Sequence, residues 1–235
     1  MIGFILIALS WALLKLEGRG LSSLGFNQPK RRVIELGLGF VYACFFVTIQ
    51  FVLTALFLDF NWILNPELAL TGFINSLRWI INSVLYEELV FRGYLLYQAI
   101  KLIGARKAAL LSACAFGVYH WFSYEIWGDV VRMVYVFVLT GSMGLLLAYA
   151  FIKTRSIVLP VAIHLGWNFM TIGVFSQGVL GSQILVPDST STLLMDPWQQ
   201  VLVSVVIPLC FVIFGMFLLY RLNIFKLTGH RTQAK

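Results

Sequence analysis

Seven long apolar runs, separated by connections that alternate between basic and acidic, constrain this chain more than any other feature. They lie at about 2–14, 33–58, 67–100, 107–124, 131–152, 156–176 and 200–220, and about 20 apolar residues in a helix cross the hydrocarbon core of a bilayer. Composition agrees: 60% of residues are hydrophobic and 11% charged, with a mean hydropathy of +0.89, whereas soluble domains carry roughly 25% charged residues. The expected fold class is all-α, a single polytopic membrane helix bundle over residues 1–235. It has seven transmembrane segments, or eight if the third run is two pieces.

The net charge of +7 and pI near 9.5 would point to nucleic acid in a soluble protein. Here the cations follow topology instead. Lys15, Arg19, Lys30, Arg31 and Arg32 follow the first run; Lys101, Arg106 and Lys107 follow the third; Lys153 and Arg155 follow the fifth; Arg221, Lys226, Arg231 and Lys235 follow the seventh. The opposite connections hold Asp59, Glu67, Glu125, Asp129, Asp188 and Asp196, with Arg132 as their one basic residue. By the positive-inside rule the basic set is cytoplasmic, the N-terminus outside and the C-terminus inside. The partner implied is membrane lipid, with no nucleic acid. The first run has no basic n-region and a positive flank on the wrong side for a secretory signal, so it reads as a retained helix. With no targeting signal in a short chain, a prokaryotic plasma membrane is the expected location.

Cys44, Cys114 and Cys210 each sit inside an apolar run without CxxC spacing. An odd count in that setting reads as small packing residues rather than disulfides or a metal site. The polar loop at 177–199, containing Pro187 and Pro197, reads as a lid or a connector.

The third run is anomalous in length and polarity. As one helix it would extend roughly 50 Å against a hydrocarbon thickness of about 30 Å, so it is tilted, broken or two pieces. It carries Asn75, Arg78, Asn82, Glu87, Glu88 and Arg92. Left alone near a bilayer centre, the two glutamates and Arg92 would cost roughly 8–10 kcal/mol. Glu88 and Arg92 are four apart with the acid first, the favourable helical orientation for an ion pair. Glu87 is rotated by about 100° from Glu88 and about 140° from Arg92, so it is free to face another partner. An isolated carboxylate in a water-restricted cavity is the setting in which proteins make a general base; a packing cluster and an ion pathway are the competing readings.

The chain has three histidines. His120 and His164 lie inside apolar runs, and His230 lies in the basic C-terminal tail, where it reads as solvated. A single intramembrane histidine is commonly an interhelical hydrogen-bonding group, but two beside an acidic pair favour chemistry. His164 and Asn168, four apart, share a helical face and offer two groups to one point, as an oxyanion hole requires. Measured from the basic flanks Lys101 and Arg106, Glu87 and His120 each lie about 21 Å along their helices. They are therefore level, with Arg78 and Asn82 one to two turns above, on the approach.

These residues form three patterns: Glu87-Glu88 with Arg92, Phe116 with His120, and His164 with Asn168. Together they resemble the EExxxR, FxxxH and HxxxN motifs of the CPBP family, the CAAX-protease and bacteriocin-processing intramembrane proteases also called Abi. The resemblance covers residues 67–176, which would be the catalytic core. It implies an intramembrane endopeptidase similar to the eukaryotic prenyl-protein endopeptidase, acting on a CAAX-type protein or a bacteriocin or leader peptide. Glu87, helped by His120, would activate water; His164 and Asn168 would stabilise the oxyanion; Arg92, Glu88 and Phe116 would support them. No cofactor is required in that scheme. The alternative is zinc held by Glu87, His120 and His164, a set that leaves an open position for water, although HExxH is absent. Neither a GxSG serine nor a GxGD aspartate motif occurs in the runs, and Gly141-Ser142-Met143-Gly144 reads as a close-packing segment. The competing function is a non-enzymatic membrane immunity or interaction protein using the same cavity; a transporter would call for an inverted repeat, and none is detectable.

Overall fold

A computed structural model describes residues 2–175, 183–188 and 193–221. The chain folds as an all-α bundle. In order come α1 (Ile2–Leu16), a 3₁₀ turn (Leu21–Leu24), α2 (Pro29–Leu58), α3 (Leu70–Arg92), α4 (Tyr94–Ile103), α5 (Ala105–Ser123), α6 (Val130–Thr154), α7 (Val158–Asn168), α8 (Pro197–Val201) and α9 (Ile207–Arg221). Three helical stretches are long and apolar enough to cross a membrane, Leu21–Leu58, Val130–Thr154 and Pro197–Arg221; Ile5–Leu16 and Val158–Val174 are shorter apolar helices. Each of the seven apolar runs becomes helix. Side chains such as Val41, Leu110, Val131 and Ile213 are exposed on the outer surface of the bundle. An apolar exterior of this extent suits lipid rather than water.

The long third run is two helices. At Gly93 the backbone takes φ −81° and ψ −133°, ending α3 and starting α4. A Cβ there would lie 2.2 Å from the Leu89 carbonyl oxygen, so only glycine permits the break. Two later helices are irregular in another way: α7 continues as π turns over Phe169–Val174, and α8 joins α9 through π turns over Leu202–Val206. Such widened turns recur at functional sites, and both face the cavity described below.

Helices approach closely where side chains are small. On α2, Gly39 and Ala43 pack against Ala162 and Gly166 of α7; a Cβ on Gly166 would come within 2.5 Å of the Phe40 carbonyl oxygen. On α5, Gly117 approaches Gly141 of α6, which gives the Gly141–Gly144 segment the packing use expected of it. One buried cluster joins Leu14, Leu24, Leu89, Leu96 and Phe151; another joins Ala43, Leu146, Ile163 and Phe211.

Some expectations need correction or addition. Cys44 is half-buried, but Cys114 and Cys210 are exposed on the outer surface and fill no core. A two-stranded antiparallel sheet, absent from the sequence reading, pairs β1 (Trp62–Leu64) with β2 (Leu185–Pro187) and sets Trp62 opposite Pro187. Asp188 accepts hydrogen bonds from the backbone N and side-chain Nδ2 of Asn61, each at 3.0 Å, tying part of the 177–199 loop to the start of β1. Residues 176–182 and 189–192, and the tail with Lys226, His230, Arg231 and Lys235, lie outside the described residues.

Candidate active site

The centre of the bundle holds an ion pair with no solvent exposure. Glu88 and Arg92 are both 0% exposed, and Arg92 Nη1 donates to Glu88 Oε1 at 2.8 Å. Burying two charges costs several kcal/mol per ion before any pairing, so further contacts are required. Arg92 Nη2 reaches the Gly144 carbonyl at 3.3 Å, and its guanidinium carbon lies 4.1 Å from the centroid of the Phe116 ring, a cation–π contact. A Cβ on Gly144 would meet both Arg92 Nη2 and Phe116 at 3.1 Å. Glycine there gives the guanidinium its room.

Glu88 has a second partner that helical spacing does not reveal. His164 Nδ1 lies 2.8 Å from Glu88 Oε1. Since a carboxylate oxygen only accepts, Nδ1 carries the proton, and the ring is held as metal-ligating or catalytic histidines are held by a carboxylate behind them. Nε2 of His164 then faces Glu87, 3.8 Å from Oε2. His120 is set the same way by a different acceptor: its Nδ1 lies 2.8 Å from the Phe116 carbonyl, which again fixes the proton on Nδ1 and leaves Nε2 as a lone pair. The Phe116 ring stands edge-on to both imidazoles, with centroids 4.5 Å from His120 and 5.9 Å from His164. Phe116 thus supports Arg92 with its face and spaces the two histidines.

Glu87 is the free carboxylate. Ser83 Oγ donates to Oε1 at 3.3 Å, while the buried Oε2, like Oε2 of Glu88, has no hydrogen-bond partner within the protein; of the two, only Glu87 faces the cavity. Glu87, Phe116, His120, His164 and Asn168 all line one cavity of about 580 Å³. Glu88 and Arg92 stand behind its wall. Arg78 and Asn82, expected on the approach, do not line it: Asn82 Oδ1 accepts from Gly3 N of α1 at 3.4 Å, and Arg78 is exposed on the outer surface of α3.

The sequence reading missed part of the lining. Ser83, Tyr119, Tyr124, Tyr135, Thr171 and Ser204 all face the cavity. Ser83 is one helical turn before Glu87 and was legible by spacing, whereas Tyr135 and Ser204 come from helices that carry no motif. Of the two tryptophans beside motif residues, Trp167 lines the cavity and Trp121 does not. Its Nε1 donates to the Met133 carbonyl at 2.8 Å.

A zinc site on Glu87, His120 and His164 would need the three donors converging within about 2 Å of one point. Among the described residues no group of three or more His, Cys, Asp or Glu side chains is so arranged.

Residues 69–170 match the family model described as type II CAAX prenyl endopeptidase Rce1-like. This segment is Rce1-like. It runs from the start of α3 to just past Asn168 and so contains every motif residue, in agreement with the resemblance drawn from the three motifs. The family is a protease family, and the apolar helices mark the chain as an integral membrane protein. No curated protein and no solved structure matches the chain.

The two glutamates of the Rce1-like segment should separate in a stability measurement. Glu88→Gln leaves Arg92 buried without its counter-charge and should cost about 3–5 kcal/mol. Glu87→Gln removes a carboxylate whose Oε2 is unpartnered and should leave stability unchanged or raise it. Thermal unfolding of both variants in the same detergent checks the difference; equal destabilisation would contradict the assignment.

Proposed function

We propose that this protein is an intramembrane endopeptidase in which Glu87 activates a water molecule against a peptide carbonyl. The observation that carries this reading is the unpartnered Oε2 of Glu87, facing a cavity beside two imidazoles whose Nδ1 protons are already committed. The water sits between Glu87 and His120. Glu87 takes one of its protons, and His120 Nε2 accepts a hydrogen bond from the other, which orients the oxygen lone pair toward the carbonyl carbon. As the C–O bond forms, the Asn168 amide N–H donates to the developing oxyanion. His164 cannot donate from Nε2 in its resting tautomer. The proton taken by Glu87 passes to Nε2 of His164, whose imidazolium is stabilised by Glu88. From there it stabilises the oxyanion and is delivered to the leaving amine as the C–N bond breaks. The water's second proton stays on the attacking oxygen, so the products leave as a carboxylic acid and an amine, which become carboxylate and ammonium in water, with Glu87 and His164 restored.

The substrate is a peptide or lipidated protein delivered within the membrane. The lining residues of α5, α6, α7 and α9 come from the halves that adjoin the acidic connections, with Ser123, Tyr124 and Tyr135 furthest from the basic end, and α3 adds Trp79, Ser83 and Glu87. If the basic connections are cytoplasmic, the cavity opens outward. In spheroplasts carrying a Ser123→Cys variant in a background with its native cysteines replaced, a membrane-impermeant thiol reagent added outside should block activity. Protection outside combined with block in inverted vesicles would reverse the access.

Cleavage of a quenched-fluorescence peptide library by the purified full-length protein tests the chemistry. Glu87→Gln should lower the rate by about 10²–10⁴-fold, the usual contribution of a positioned general base, and a strong zinc chelator should leave the wild type unaffected. Activity surviving in Glu87→Gln would refute the proposal, and chelator loss restored by zinc would replace it with metal chemistry. A folded wild type inactive across the library would favour the binding or immunity reading.

A further inference from the structure

At the opposite end of the bundle lies a second cavity, of about 610 Å³, which plays no part in the chemistry above. Its lining includes Arg19, Arg31, Arg32, Lys153 and Arg155, and no acidic residue. These cations come from around the α1–α2 and α6–α7 connections, far apart in sequence, so neighbouring positions in one loop do not explain their convergence. The pocket is a built feature. The Leu24 carbonyl accepts from Ile157 N at 3.0 Å, pinning the 3₁₀ turn to the α6–α7 corner. Gly25, at φ 90°, lies so close to that corner that a Cβ would fall 2.5 Å from Ser156. The same corner places Arg155 at φ 49°, an uncommon conformation for a non-glycine residue.

Internal acids leave most of this charge standing. Glu35, buried on α2, accepts from Arg31 Nε at 3.0 Å and from Arg32 Nη1 at 2.6 Å, and Asn27 accepts from Arg32 Nε and Nη2 at 3.1 Å, so one carboxylate offsets one of the five charges and Arg19, Lys153 and Arg155 carry the recognition. Glu17, the other acid at this end, is held by Lys101, Tyr94 and Gln98 and is absent from the lining. Arg19 and Lys153 lie over the rings of Tyr97 and Tyr149, at 5.7 and 5.2 Å, contacts that orient a cation without neutralising it. Ser22, Ser23 and the N-terminus of the 30-residue α2 also face the pocket, adding hydroxyls and the positive end of a helix dipole. Positive-inside sorting accounts for basic residues at this end; it does not account for a concave, acid-free pocket assembled from separate segments.

We infer that this pocket binds a phosphate-bearing anion. Arginine forks and serine hydroxyls suit phosphate oxygens. The site sits at the membrane-end rim of the bundle, beside the exposed apolar side chains of Leu16, Phe26 and Val33. An anionic phospholipid headgroup and a soluble phosphate share this chemistry, and basic pockets at the cytoplasmic ends of transmembrane helices accept the former.

The test uses the purified full-length protein and a fluorescent short-chain phosphatidylglycerol, its binding followed by anisotropy, with phosphatidylcholine of the same chain length as the zwitterionic comparison. Phosphatidylglycerol should bind more tightly. Lys153→Gln with Arg155→Gln should weaken it by about 20–30-fold, since each basic residue near a membrane surface is worth about fivefold. Lys153→Arg with Arg155→Lys should restore it. Arg106→Gln with Lys107→Gln, which removes the same charge from the same end outside the pocket, should leave binding within about twofold. Displacement of the lipid by millimolar inorganic phosphate would support the site and assign it to a soluble phosphate; resistance to phosphate would assign it to a lipid. Equal weakening in the two glutamine double variants, or no preference for phosphatidylglycerol, would overturn the inference.

Discussion

The buried pair of Glu88 and Arg92 is the interaction on which the rest of the site depends. Neither charge touches solvent, and neither would be tolerated alone in the interior of a bundle whose exterior is apolar. Their mutual hydrogen bond fixes the end of α3. Contacts from the pair then reach three other helices, α5 through the face of Phe116, α6 through the Gly144 carbonyl and α7 through His164 Nδ1, while Arg92 Nε and Glu88 Oε2 make no hydrogen bond. A pair that would be expensive in isolation thereby specifies how four helices register against one another. The result is a second carboxylate, Glu87, held next to the pair but outside it.

Much of this was legible in the sequence. Spacing alone separates Glu88 from Glu87, because only Glu88 is one turn before Arg92, and the structure keeps that division of partners. The break in the long third run follows from its length, although Gly93 is identified as the hinge only by the approach of the Leu89 carbonyl. Each motif was visible as a residue pair four apart, since i and i+4 lie on one helical face. Contacts between helices were invisible for the same reason. Nothing in helical periodicity pairs His164 with Glu88 across 76 residues, so the carboxylate behind the histidine was not legible. Arg78 and Asn82 failed as cavity residues because depth along a helix says nothing about direction around it. The short β1–β2 sheet escaped because three-residue strands carry no period.

The molecule is also polarised along its length. The cavity holding Glu87, His120, His164 and Asn168 extends toward the end with acidic connections, and the arginine- and lysine-lined pocket lies at the other. Between the two ends, α2 and α7, and α5 and α6, approach closely through small residues. The two π-turn segments, Phe169–Val174 and Leu202–Val206, are the local irregularities in that packing. Both line the cavity that holds Glu87, through Thr171 and Ile172 and through Ser204.

The most direct test of the central claim, that Glu87 activates water instead of attacking the peptide itself, is a single turnover in ¹⁸O-labelled water, followed by mass spectrometry of product and protein. Direct attack by water predicts one ¹⁸O in the new product carboxylate and none in the Glu87 side chain. Label in Glu87 would mean that its carboxylate had formed and released an acyl intermediate, and would contradict the water mechanism.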